Sequence, residues 1–230
     1  MLKFRYWIQK DRLYKYDLCK NPNYVQFMEK DSDLIDWDSL GMNENALHLI
    51  ERNLDKIENW FPISTNPNAI HIIEQNMDKV VLSGLAMNPA ARHLLLQIED
   101  ILNVKTLYAN PAMIDIILEN KDAIDWEYLS INTAPEAIEL LIQNPRKIYW
   151  LYFSANPSAI EYIRKMKDHI IWSVLSANTE AIDMLEQNQH LIQWTHISSN
   201  KNIFEYDYDG MEDSTSLIRN ELIEKGIIQV

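Results

Sequence analysis

Cysteine and glycine are nearly missing from this sequence. One cysteine in 230 residues, Cys19, can form no internal disulfide and no multi-thiolate metal site. That usage fits a reducing, intracellular compartment. Four glycines are too few for the turns of an all-β sandwich or for a phosphate-cradling loop. No apolar run approaches the roughly 18–20 residues of a membrane span. The opening stretch MLKFRYWIQKDRLY is too polar and aromatic for a secretory core, so the chain is expected to be neither secreted nor transmembrane. Catalytic signatures are missing as well: there is no G-x-S-x-G and no H-E-x-x-H. The expectation is a non-enzyme without a cofactor or a metal.

Positive charge is scarce over most of the chain. The net charge is −13, and residues 1–20 hold six of the 21 Lys/Arg but only two of the 34 Asp/Glu. The remaining body is strongly acidic. Nucleic-acid binding there is disfavoured, because affinity for phosphates rests on cations that displace counterions. A protein partner with a basic surface suits such a body better.

What the sequence has in abundance is repetition. Units begin at Lys15, Trp37, Trp60, Leu82, Val104, Trp126, Trp150, Trp172 and Trp194, spaced 22 to 24 residues apart. Position 7 of each is asparagine: Asn21, Asn43, Asn66, Asn88, Asn110, Asn132, Asn156, Asn178 and Asn200. Position 4 is apolar in all nine, from Leu18 to Ile197, and position 21 in the eight complete units, from Ile35 to Ile192. Asparagine is a favoured helix N-cap, and proline follows it in five units, where the first helical amide needs no partner. Apolar residues then recur at three and four, as in Ala159, Ile160 and Ile163, which predicts a helix of about ten residues. Helices that short are marginal alone and need neighbours. The stretch from position 18 through position 5 of the next unit reads as a second short helix or 3₁₀ turn, with a short parallel strand as the competing reading.

Stacked units of this kind make an all-α solenoid. Nine of them, ~8–10 Å apart, give a rod or arc on the order of 70–90 Å long. Free ends need covering, so residues 1–14 are expected to form an N-terminal cap, 15–205 the solenoid, and 206–230 an acidic loop and a C-terminal capping helix over STSLIRNELIEKG, all in one continuous domain. Leu82 and Val104 stand where other units have Trp, and two extra residues follow Asn132, so local distortion is expected there.

The pattern W-x-x-L-S-x-N-P-x-A-I-x-L-L is carried by Trp150, Phe153, Ser154, Asn156, Pro157, Ala159, Ile160 and Ile163 and by their counterparts over about residues 15–205. It resembles the tandem repeats of many proteins of giant (nucleocytoplasmic large) DNA viruses. The resemblance implies a viral, intracellular or virion-associated protein and brings no catalytic residue with it.

Three columns of residues are candidates for function. Trp37, Trp60, Trp126, Trp150, Trp172 and Trp194 read first as wedges between units, and otherwise as a ligand platform or interface anchor. The asparagines read as caps and backbone bridges. Position 12 is polar throughout: Gln26, His48, His71, His93, then Asp115, Glu139, Glu161, Asp183 and Glu205. It reads as a solvated face, or more sharply as an acidic stripe that docks a basic partner. Histidines on helices ~8–10 Å apart are too far from one another to share a metal. The stretch 205–216 is similar to a calcium loop, with Glu205, Asp207 and Asp209 at its first, third and fifth positions, but Ser216 stands where a bidentate glutamate belongs. Cys19 sits where seven of the eight other units have Ser, Ala or Gly, which marks a small packing residue and not a nucleophile. The functional expectation is an interaction scaffold using Asp115, Glu139, Glu161, Asp183 and Glu205. The alternative is a structural component of a viral particle.

Overall fold

Each asparagine at position 7 uses every hydrogen-bonding group of its side chain. Its Oδ1 accepts from the amide two residues on, at 2.9–3.0 Å, as for Ala112 on Asn110. Its Nδ2 donates twice, to two carbonyls of the preceding unit. For Asn110 these are Ala86 and Asn88, both at 2.9 Å. Asn43, Asn66, Asn88, Asn132, Asn156, Asn178 and Asn200 repeat the arrangement. All nine side chains lie in buried residues, where an amide needs this complement of partners.

The computed structural model describes residues 2–208 and 210, and its units are helical. Unit seven shows the plan. An α-helix, Trp150–Ala155, leads to Asn156; a 3₁₀ turn, Pro157–Ala159, runs into a second α-helix, Ile160–Ile163; a 3₁₀ turn, Lys167–His169, ends the unit. The expected ten-residue helix is thus divided into a 3₁₀ turn and a short α-helix. The competing strand reading is excluded, since the one pair of strands among the described residues, Leu2–Phe4 and Phe204–Tyr206, lies outside this plan. Ala46, Ala69, Ala91, Ala137, Ala159 and Ala181 at position 10 are at most 1% exposed, so adjacent turns meet without intervening side chains.

The expected distortions fall where the pattern breaks. Unit five, with Val104 for Trp, starts with a 3₁₀ segment, Lys105–Ala109, in place of an α-helix. In unit six the two extra residues move the proline to position 135, and one unbroken α-helix, Pro135–Gln143, replaces the divided one. Asn132 still caps, accepting from the amide of Ala134 at 2.9 Å.

Asn21 has no unit before it in the sequence, yet its bonds are complete. Its Nδ2 donates to the carbonyls of Ser198 at 3.1 Å and Asn200 at 2.9 Å, the same two positions of unit nine. Unit one therefore follows unit nine in space as unit two follows unit one, and the row closes into a ring. The open rod with two capped ends is corrected accordingly: equal joints that all bend the same way bring the ends together.

Residues 1–14 are corrected with it. They supply what unit nine lacks and cap no free end. Within a unit the position 5 hydroxyl accepts from the position 22 amide, as Ser154 does from Ile171 and Ser176 from Gln193. Ser198 of unit nine accepts from Tyr14, at 2.8 Å. The 3₁₀ turn Lys10–Arg12 stands at positions 18–20 of that unit. Strand Leu2–Phe4 pairs antiparallel with Phe204–Tyr206, Phe4 opposite Phe204. Trp7 and Ile8 are buried with Leu185, Trp194 and Ile197. The anticipated capping helix, and all of the acidic loop beyond Tyr208 except Gly210, lie outside the described residues.

Two tests follow from the asparagine bonds and the closure. Aspartate caps a helix as well as asparagine does, but at position 110 its carboxylate would face two carbonyl oxygens. Asn110→Asp should therefore lose more stability near neutral pH than Asn110→Ala, by about 1–3 kcal/mol for the unpaired buried groups, and recover part of it as acid protonates the carboxyl. Equal loss in urea titrations of the two variants would reduce the asparagine to a cap. Removal of residues 2–14 should expose the Trp194 and Ile197 core, lower the melting temperature and lengthen the particle in small-angle scattering.

Candidate functional site

Position 12 lies on the outer rim, where its side chains meet those of the neighbouring unit. His48 pairs with Glu29 at 2.9 Å, His71 with Glu51 at 2.6 Å and His93 with Glu74 at 2.8 Å. Asp115 receives both terminal nitrogens of Arg92, at 2.8 and 2.7 Å. Asp183 is held the same way by Arg164, at 2.7 and 2.8 Å. Glu161 lies 3.9 Å from Arg164, and Glu205 lies 3.7 Å from Arg5. Asp115, Glu139, Glu161 and Asp183 are exposed and Glu205 is half-buried in strand Phe204–Tyr206, and arginines stand against four of the five. Glu139 has no cationic partner among the described residues.

The arginine forks hold the carboxyls of Asp115 and Asp183 below the usual carboxylate range, with partial burial opposing the shift. Both remain ionised at neutral pH. Lys3 acts likewise on Asp207, at 3.1 Å. Two of the three acids of the proposed calcium loop, Glu205 and Asp207, are therefore engaged by the N-terminal segment, and no metal-binding group of three ligands occurs among the described residues. The rest of that loop, Asp209 and 211–216, lies outside them.

Five of the six tryptophans of the column meet a cation or another ring. Lys56 stands over Trp37 at 4.4 Å, Lys79 over Trp60 at 5.0 Å, Lys147 over Trp126 at 5.8 Å, and the His169 ring lies 4.7 Å from Trp150, tilted by 35°. Arg12 covers Trp194 at 4.7 Å, again from the place of position 20 in the closing unit. Position 20 is aliphatic in the units without Trp, as Leu34, Ile101 and Ala123, so indole and cation occur together. Unit eight departs from this, with Leu191 at that position below Trp172. Of the six in the column, Trp60 and Trp194 are buried; the others are half-covered wedges at the unit joints.

The first helices turn one side toward the ring axis. A cavity of about 410 Å³ is lined by Phe61 of unit three, Ser83 and Met87 of unit four, Thr106 of unit five, Tyr128 and Ile131 of unit six, and Tyr152 of unit seven. Units three and seven stand nearly opposite one another in a nine-membered ring, so one hollow lined by both lies at the centre. Its lining comes from positions 2, 3 and 6. In unit one the same register carries the Asp17–Lys20 ion pair, at 2.8 Å, and in unit nine His196, whose ring meets the Ser173 carbonyl at 2.7 Å. The inner wall is therefore rich in aromatic and apolar side chains over units three to seven and polar at units one and nine. Periodicity gave no warning of this hollow, because positions 3 and 6 keep no one residue type through the nine units.

Comparison with known proteins adds no relative: no family model matches the chain, and no characterised protein or solved structure is significantly similar to it. Site assignment rests on the geometry. Cys19 accepts from the Asp36 amide at 3.2 Å, as the serines of other units do from their position 22, and burial pushes its thiol pKa up. It is a stand-in for serine in the frame. Among the described residues no helix is long and apolar enough to cross a membrane.

The Arg92–Asp115 fork is 36% and 59% exposed, so solvent screens it. A double-mutant cycle, Arg92→Ala with Asp115→Ala, should return a coupling of about 0.2–1 kcal/mol that shrinks with added salt. Because the folded value of Asp115 is depressed, this contribution is present above the unfolded pKa and fades as pH falls through the folded one. Asp115→Asn should flatten the acid limb of stability slightly and leave the alkaline limb alone.

Proposed function

We propose that the protein is a non-enzymatic interaction scaffold, a closed ring whose outer rim docks a protein with a basic surface. The observation that carries this is the acidic row Asp115, Glu139, Glu161, Asp183 and Glu205, one side chain per unit over five successive units and exposed in the first four, on a chain of net charge −13. The arginines against Asp115 and Asp183 orient carboxylates that keep further acceptor capacity, and Glu139 is open. A row of this kind steers a basic partner and sets its register more than it adds raw affinity. An intracellular setting, and a viral origin suggested by the repeat resemblance, belong to the same reading, as does the absence of a catalytic role.

The test is affinity purification from the native cells, followed by rebinding. Charge reversal of Asp115, Glu139 and Glu161 to lysine should abolish salt-sensitive retention of a basic protein and slow its association. A partner that binds the reversed variant and the native ring equally would remove the rim from consideration.

A further inference from the structure

The central hollow is independent of the rim, and its lining differs from the rim in kind. It holds about 410 Å³, within the roughly 300–1,000 Å³ of small-molecule sites. None of its lining residues carries a formal charge, so a charged guest would lose its hydration without gaining a counter-ion. Phe61, Tyr128 and Tyr152 supply three aromatic rings from three different units, and the two tyrosine rings lie 5.7 Å apart, inclined at 44°. Inclined rings of this kind favour another ring set edge-on or offset against them.

Thr106 is on the same wall, and its hydroxyl is buried without a hydrogen-bond partner, a condition it shares among the described residues only with the Trp7 indole N–H. Buried hydroxyls are ordinarily paired, and an orphan one calls for a partner. The structural frame does not require this wall to be apolar, since units one and nine place charged or polar side chains at the same positions and keep every asparagine bond.

We propose that the hollow is a binding site for a small, neutral, planar aromatic molecule that stacks on Tyr128 and Tyr152 and exchanges one hydrogen bond with Thr106. Met87 and Ile131 complete the apolar contact. Five successive units contribute to this one pocket, so the guest would be held only where the joints curve those units toward one another.

The test is titration of the full chain with the neutral probe N-phenyl-1-naphthylamine. Saturable fluorescence with a blue shift, at one probe per chain, is expected. In methyl NMR the Met87 and Ile131 signals should move, while Met77, half-exposed, should stay in place. Met87→Trp, which fills the hollow, should weaken binding at least tenfold, and Thr106→Val should weaken it a fewfold without loss of fold. Unsaturable fluorescence, shifts at Met77 without shifts at Met87, or native-like affinity of a folded Met87→Trp would each overturn the proposal. If Met87→Trp fails to fold by circular dichroism, the methyl shifts of the native chain decide alone.

Discussion

One side-chain amide at each joint holds the ring in register. Asparagine at position 7 offers one acceptor and two donors, and the fold fills all three: a cap within its own unit and two bonds to the unit before. Aspartate, serine or threonine could make the cap alone. None of them has two N–H groups to reach two carbonyls at once. This explains why a residue that helix capping leaves interchangeable is invariant across nine units. It also couples the local structure of a unit to its neighbour: the same side chain that starts a helix fixes where the adjacent unit lies. Short helices of four to six residues, unstable in isolation, are then set by joints that repeat.

Closure is a consequence of those joints, and it explains the composition of the ends. A closed ring has no terminal repeat to cover, but its first and last units are not connected through the chain and need another fastening. The N-terminal 14 residues provide it by completing unit nine, with two strands in place of a covalent link. The basic bias of this segment has a structural use. Arg5 donates to the Asn202 carbonyl at 2.7 Å and lies near Glu205, Lys3 meets Asp207, and Arg12 covers Trp194. The positive end of the sequence lies against the acidic end of the ring.

Periodicity made the unit legible: its length, its helical character and the buried faces at positions 4, 10 and 21 follow from residue type alone. Closure was not legible, because curvature comes from small differences in spacing between the inner and outer sides of each joint, which no residue pattern reports. The Leu13 and Tyr14 pair did carry a sign of it. They occupy positions 21 and 22 of a unit whose first half lies some 180 residues away, and Arg12 before them matches the position 20 cations Lys56 and Lys79. Read linearly, these residues precede the pattern; read cyclically, they are within it. The acidic row was legible as exposed in four of its five members, whereas its arginine partners were not, since Arg92 and Arg164 occupy different unit positions.

A repeat protein separates the residues that hold it together from those free to vary. Here positions 4, 5, 7, 10 and 21 are fixed by burial or hydrogen bonding, and position 20 follows the identity of position 1 in every unit but the eighth. Position 3 runs through Asp17, Ser39, Pro62, Gly84, Thr106, Tyr128, Tyr152, Val174 and His196 with no shared chemistry. Gly84 is constrained, since a Cβ there would stand 2.9 Å from the Phe61 carbonyl oxygen. The frame therefore does not require an aromatic residue at positions 128 and 152, where Tyr128 and Tyr152 pack against each other. On a straight rod these side chains would stand on separate repeats and form no common site. The ring turns them toward one axis, so the bond that sets the joints also determines that unlike residues from five units share one cavity.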